Sequence, residues 1–251
     1  MSNNIHFITY GNEKFALSKK RILKEADEFG EFATIKGYGP EDLPNNFKQQ
    51  FKDILSQPRG GGYWIWRPKI LMDTINKINN GDYLVYLDAG CKINPLGKKR
   101  FFEYINMLEN SNYGILSFQM SGNNGPGGLE KEKYWTIKEV FEYFNVKRDG
   151  YIGNSGQYIG GVLIMKKNKH LLQYMEQYMN IIYYKPLLCT DYFNETNQSN
   201  DFIDNRHEQS ISSILRKIHG SVVIDGDESW MQPFGHGKSL KYPFWACRIR
   251  N

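Results

Sequence analysis

Apolar residues in this chain fall into two patterns: short continuous runs, and longer stretches in which they recur every third or fourth position. The runs predict buried strands and the recurring positions predict amphipathic helices. Residues 5–11 (IHFITYG) read as a first strand closed by a turn glycine. Residues 15–29 carry helical spacing in Leu17, Ile22, Leu23 and Ala26, with Gly30 as a stop. A second strand is expected at 31–36 and a helix at 45–55. Pro58 and Gly60-Gly61-Gly62 predict a loop, and Pro68 suits the first turn of a helix running to Ile78. The run within 82–91 predicts a third strand. A helix is expected at 98–108 and a strand at 113–118.

The second half reads less regularly. Residues 121–128 are rich in Gly and Asn and predict a mobile loop. Helices are expected at 135–144, 170–183 and 208–218. Strands are expected at 160–165, entered through two glycines, and at 222–224. Residues 191–204 are polar and irregular, and 230–251 read as a largely irregular tail. Alternating strands and helices imply an α/β fold, a three-layer sandwich around a mostly parallel central sheet. Ligands of such sheets lie at the carboxyl ends of strands, where Thr9, Tyr10 and Asp88 fall. No internal repeat or linker divides residues 1–251, so a single domain is expected.

Composition narrows the class. A chain of 251 residues can bury a large core without a disulfide or metal staple. The three cysteines, Cys91, Cys189 and Cys247, have neither zinc nor disulfide-framework spacing, which points to a reducing compartment. The net charge of +5 is modest and its cations are scattered among acids, which suits a small polyanionic ligand as well as nucleic acid and decides nothing alone; no nucleic-acid partner is expected. No stretch reaches the ~18 apolar residues a membrane helix needs. No basic leader with an apolar region opens the chain, so a cytoplasmic location is expected, host cytoplasm if the source is viral.

Candidate chemistry starts at Asp88, a carboxylate delivered by an apolar strand and followed by the small residues Ala89 and Gly90. Such an acid suits a hard cation such as Mg²⁺ or Mn²⁺; the alternative is an Asp that caps the next turn. His236, set between two glycines, is a possible second metal ligand or a surface histidine in a basic tail. Lys238 and Lys241 in that tail could meet phosphate. Upstream, Arg59 and Arg67 offer planar forks for phosphate and Lys69 a point charge. Trp64 and Trp66 would share a face of an extended segment, either against a base or sugar or in the core. The triple glycine lacks the Gly-Lys-Ser/Thr ending of a P-loop, and no G-x-G-x-x-G follows the first strand. Asp204, His207 and Glu208 open an apolar helix, either as capping residues or with Glu208 as a general base. Asn154, Gln157, Gly160 and Gly161 could shape a pocket for a polyhydroxyl acceptor; a simple turn is the alternative.

Taken in order, the strand ending in Asp88, the Gly160-Gly161 strand, the Arg206-His207-Glu208-Gln209 helix start and the late His-Gly-x-Ser-x-Lys segment resemble GT-A type glycosyltransferases. The stretches Gly62-Tyr63-Trp64-Ile65-Trp66-Arg67-Pro68-Lys69 and Tyr86-Leu87-Asp88-Ala89-Gly90-Cys91 are similar to those of small bacterial and large-DNA-virus enzymes of this kind. The resemblance covers nearly the whole chain. It implies a GT-A-like fold with a Rossmann-like nucleotide-sugar-binding half at about 1–118 and an acceptor half with the tail at about 119–251. It implies a nucleotide-diphosphate sugar donor, most simply a UDP-sugar, a hydroxyl acceptor on a glycan or other molecule, and Mn²⁺ or Mg²⁺. Asp88 matches the first acid of the family's Asp-x-Asp motif, and Gly90 stands where the second would be. His236 and Lys238 resemble the C-terminal metal ligand and the lysine that follows it. Thr9, Tyr10, Arg59, Trp66, Arg67, Lys69, Asp88, Ala89, Gly90 and Lys238 would then hold the donor. Asn154, Gln157, Gly160, Gly161 and Trp230 would hold the acceptor. Glu208 is the expected base of an inverting reaction, with Asp204 or His207 behind it. A nucleotidyltransferase and a non-catalytic nucleotide-sugar or carbohydrate binder are the rival readings.

Overall fold

The computed structural model describes residues 3–121 and 130–250. In chain order the strands are β1 (Ile5–Tyr10), β2 (Thr34–Tyr38), β3 (Tyr83–Leu87), β4 (Lys92–Ile93), β5 (Ile115–Gln119), β6 (Val162–Lys166), β7 (Val222–Asp225) and β8 (Phe244–Trp245). The long helices are α1 (Ala16–Phe29), α2 (Trp66–Ile75), α3 (Lys98–Glu109), α4 (Lys169–Tyr184) and α5 (Glu208–His219). Six strands make one sheet in the order β2-β1-β3-β6-β5-β7. The β1–β2, β1–β3 and β5–β7 pairs are parallel, and β6 runs antiparallel to both β3 and β5. The mostly parallel sheet expected from the sequence is therefore present, with one reversed strand near its middle.

Strand alternation builds a core on each face. Along β3, Leu84 and Tyr86 join one apolar cluster while Tyr83, Val85 and Leu87 join the other, and all five are buried. A strand buried on both faces needs the continuous apolar run seen here. The first cluster includes Ile70, Leu71 and Ile75 of α2, Tyr174, Tyr178 and Ile182 of α4, and Ile211, Ile214 and Leu215 of α5. The second takes in Ile22, Ala26 and Phe29 of α1 and Phe101, Tyr104 and Leu108 of α3. These are the three layers predicted. Leu17, counted in the helical spacing of α1, is 68% exposed, so the buried stripe is Ser18, Ile22, Ala26 and Phe29.

Several boundaries moved. β2 starts at Thr34, not at residue 31. The helix expected at 45–55 breaks at Phe51 into Asn45–Gln50 and Lys52–Leu55. That expected at 135–144 is two short turns, Glu132–Trp135 and Lys138–Tyr143. Thr136 between them is extended and buried, and its Oγ1 bonds to Glu132, so a tertiary contact overrides local propensity. The mobile loop expected at 121–128 lies outside the described residues apart from Ser121. The tail is not wholly irregular: β8 pairs with β4, Trp245 opposite Lys92 and Phe244 opposite Ile93.

The triple glycine is a left-handed turn, not an extended segment. Gly60, Gly61 and Gly62 have φ of 59°, 57° and 95°, and the turn carries on through Tyr63 at 53° and Trp64 at 57°. Glycine adopts this conformation freely, whereas each side chain there costs about 1–2 kcal/mol. A Cβ on Gly62 would also stand 2.7 Å from the Leu55 Cα. The turn re-aims the chain so that α2 starts at Trp66 and lays its first turn against β3. Trp64 and Trp66 consequently share no strand face. Among the described residues no helix is long and apolar enough to cross a membrane.

Candidate active site

Asp88 follows the last residue of β3, at the carboxyl edge of the co-directional strands. Its backbone N–H donates to Gly161 O at 2.9 Å, where the reversed strand β6 begins. Two residues back on the same face lies Tyr86, fully buried, whose hydroxyl donates to Asp88 Oδ1. Arg67, from the first turn of α2, donates to that same oxygen through Nη2 at 3.0 Å. The Asp88 side chain is 39% exposed, and no described residue hydrogen-bonds its Oδ2. One carboxylate oxygen is thus fixed, and the other, beside Gly161, is left without a partner among the described residues. Arg21 of α1 pins the turn beyond it, donating to Ala89 O at 3.0 Å and Cys91 O at 2.9 Å.

Arg67 is itself 3% exposed. Its Nη1 donates to Glu208 at the start of α5, and Glu208 also accepts from the Tyr178 hydroxyl of α4. Burial raises the Glu208 carboxyl above its ordinary range, against the opposing pull of Arg67. Glu208 thus lies beneath the surface with both oxygens engaged. Gly160 and Gly161 are small for a visible reason. A Cβ on Gly160 would lie 2.9 Å from Arg67 Nη1, and one on Gly161 2.7 Å from Asp88 Oδ2. Gly160 N–H donates to Gln209 Oε1 at 3.0 Å, and Gln209 Nε2 to Gln157 Oε1 at 2.7 Å. Gln157 is fully buried and bonds Glu132 and Thr136, so it braces the strand entrance. Asn154 is exposed and spends its amide on Asp149 O and Gly150 O at 2.7 and 3.1 Å.

A second polar group adjoins the first through His207, the residue before Glu208. His207 Nε2 meets Asp191 Oδ1 at 2.7 Å, and burial lowers the His207 pKa against the opposing pull of that acid. Its ring stacks on Tyr63 at 4.9 Å and tilts against Trp64 at 5.6 Å. His207 has φ 56° and ψ −124°, so three touching residues all hold positive φ. Such conformations cost about 1–3 kcal/mol each and gather at functional sites. Arg59 bridges Asp191 and Asp204, and Asn194 donates to both acids at 3.1 and 2.8 Å. Asp191 and Asp204 are about one-third exposed, which makes them the accessible acids here.

The other expected donor residues lie elsewhere or are engaged. Trp66 and Tyr10 are buried and stack on each other with centroids 3.6 Å apart, Trp66 Nε1 donating to Gly60 O, so neither ring face is open. Lys69 pairs with Asp73 one turn along α2. Arg59 and Arg67 are held by the acids named above. Thr9 is buried at the end of β1 and its Oγ1 has no partner; buried Oδ1 of Asn12, just beyond, has none either. Orphaned buried polar atoms are rare and mark a place for a ligand or water. Asn12 escaped the sequence reading because nothing in its neighbours sets it apart.

The tail is stapled down. Asn94 donates to Leu240 O and Tyr242 O, both at 2.9 Å, and Trp245 Nε1 to Ser239 O at 2.9 Å. His236 and Lys238 are exposed on the turn that opens the 3₁₀ helix Gly237–Lys241. Beyond β8 the chain returns to Asp88: Ile249 N–H donates to Gly90 O at 2.9 Å, and a Cβ on Gly90 would stand 3.2 Å from Arg248 Cα. The Arg248 guanidinium lies over the half-buried Trp230 ring at 5.0 Å. Arg206 lies over Trp135 at 3.9 Å and donates to Gln157 Oε1 at 3.2 Å. In the sequence Arg206 stands out only as part of the polar start of α5, with no site role, and Arg248 does not stand out at all. A surface depression of about 590 Å³ lined by Asn80, Lys167 and Glu176 lies at the opposite edge, where the co-directional strands begin, away from all these groups.

A divalent cation wants several oxygen ligands. Asp88 offers one free oxygen, Gly90 has no side chain, and the backbone of Arg248 fills the space beside it. Among the described residues no three His, Cys, Asp or Glu side chains converge as a ligand group. These side chains do not by themselves enclose a cation.

No family model matches the chain, and no curated protein sequence does. A solved glycosyltransferase involved in glycosylating the major capsid of PBCV-1 superposes with a TM-score of 0.53 at 13% identity, covering 96% of this chain and 93% of that one. Mouse xyloside xylosyltransferase 1 gives 0.42 at 11%, covering 91% and 87%, and the galactosyltransferase LgtC with donor and acceptor sugar analogues gives 0.42 at 10%, covering 89% and 74%. The first likeness shows a fold and not an activity: this chain has a glycosyltransferase fold, of the layered α/β kind expected from its sequence. The two weaker ones add nothing to that.

Proposed function

We propose that this protein is a glycosyltransferase that moves a sugar, a hexose or deoxyhexose, from a nucleotide-diphosphate donor, most simply a UDP-sugar, to a hydroxyl of a glycan or other acceptor. The observation that carries the reading is the aim of Asp88. Its partly exposed carboxylate is pre-oriented at the strand edge where such sheets bind ligands, with one oxygen tied to Arg67 and Tyr86 and the other without a partner among the described residues. The unpartnered Thr9 and Asn12 oxygens support a nucleotide alongside, over the end of β1.

In the transfer the bond from the anomeric carbon to the diphosphate oxygen breaks, and its electron pair stays on that oxygen. The acceptor oxygen forms the new bond and gives up its proton. Asp204 and Asp191 are the accessible carboxylates on the acceptor side, and Asp204 is our choice of base if configuration inverts. Buried Glu208 is better suited to hold Arg67, and buried His207 to orient Asp191, than to meet an acceptor directly. The expected Asp88–His236 metal pair is not carried into this reading.

The test is incubation of the purified chain with a panel of nucleotide sugars, followed by chromatography of the nucleotide products. One donor should release nucleoside diphosphate, and the folded Asp88→Asn variant should release little. Release of pyrophosphate would mean a nucleotidyltransferase; binding with no release from any donor would mean a binder.

A further inference from the structure

We propose that Arg206 and Arg248, not a divalent cation, neutralise the donor's diphosphate, so that the protein binds and uses its donor without metal. The inference rests on the nucleotide-sugar reading above and concerns the same site. Two arginines from different segments lie near each other here, close enough that the charge of Arg248 acts on Arg206. Arg248 is delivered by the returning tail, its Cα against the place where a Gly90 side chain would be, and Ile249 N–H fastens that segment to Gly90 O at 2.9 Å. Arg206 comes from the segment leading into α5, held through Gln157 Oε1 in the network that braces Gly160. Each guanidinium lies over a tryptophan, Trp230 or Trp135, an arrangement that engages the face of the fork and leaves N–H edges for oxygen acceptors.

The pair is also unbalanced in charge. Arg59, Arg67, Arg100 and Arg148 each hold a carboxylate. Among the described residues neither Arg206 nor Arg248 has an acid within ion-pair distance. Burial, and next the nearby positive charge of Arg248, push the Arg206 pKa down to about 10. A partly buried cation, Arg206, and an exposed one, Arg248, near each other repel, and an anion carrying two charges relieves both. A diphosphate has that charge, and its oxygens suit two planar forks. The position where a second motif acid would recruit metal is instead glycine, and the space beside it holds the backbone of a cation-bearing residue.

The experiment is isothermal titration of the full chain with UDP, GDP and ADP, each in EDTA and again in Mn²⁺, for the wild type, Arg206→Gln and Arg248→Gln. One diphosphate should bind in EDTA within about threefold of its affinity in Mn²⁺, and each variant should lose about tenfold or more. Thermal unfolding of the exposed-site variant Arg248→Gln should match wild type, so its loss reads binding and not folding. Binding only with Mn²⁺, or variants that bind in EDTA as well as wild type, would overturn the proposal while leaving the donor reading intact. Failure of every diphosphate under both conditions would instead remove the donor reading.

Discussion

Arg67 grips Glu208 with one end of its guanidinium and Asp88 with the other, although these residues come from α5 and from the end of β3. Of the two acids only Asp88 reaches the surface, and it is aimed by an arginine that does not. Arg67→Ala would leave Glu208 buried and unpaired, a change that costs about 3–5 kcal/mol. Urea denaturation should show that loss. Glu208→Gln should lower stability and donor affinity together, because Arg67 loses its anchor. If turnover fell ~10²–10⁴-fold with donor affinity and melting temperature unchanged, Glu208 would be a general base after all.

Gly161→Ala should separate folding from function. The added Cβ meets Asp88 Oδ2, the movable tip of a side chain and not backbone, at 2.7 Å. The carboxylate can swing aside at little cost to the fold, but it then loses its aim. A melting temperature close to wild type with donor turnover reduced tenfold or more is expected. Unaltered turnover would mean that the orientation of Asp88 does not matter.

Asp204→Asn tests the acceptor side. The amide keeps the shape that faces Arg59 and Asn194 but cannot take a proton. Turnover with a true acceptor should fall ~10²–10⁴-fold while donor titration stays near wild type. A few-fold change would shift the role to Asp191 or to a mechanism that needs no base.

Asp227 gives the fold a pH dependence of identifiable sign. Burial raises its pKa from 3.8 to about 6, against hydrogen bonds from Ser229. An acid whose folded pKa is raised contributes stability below pH ~4, and that contribution is lost as pH rises through about 6. At pH 7 the buried charge costs at most about 3 kcal/mol. Asp227→Asn should therefore be more stable than wild type at pH 7, with the gap closing toward pH 4. A constant difference from pH 4 to 8 in denaturant melts would show that Asp227 does not titrate in this window.

The sequence by itself determined the layers and the place of the site. The apolar run 83–87 can only be a strand buried on both faces, and a strand of that kind must end where its chain meets polar groups, which put Asp88 at the sheet edge. Helical spacing found α1, α3, α4 and α5, because these depend on residues a turn apart. Charge pairing was beyond its reach. Arg59, Arg67 and Lys69 looked like three free cations, yet each holds an acid, and Arg67 reaches Glu208 across 141 residues. Whether a charged side chain faces a ligand or a neighbour is settled by contacts distant in sequence, which neither residue type nor local spacing encodes. The same holds for the reversed direction of β6, the left-handed turn through Tyr63 and Trp64, and the return of the tail to Gly90. Tertiary packing alone brought the backbone of Arg248, which no local pattern distinguished, against Gly90, two residues beyond the acid that the sequence had marked.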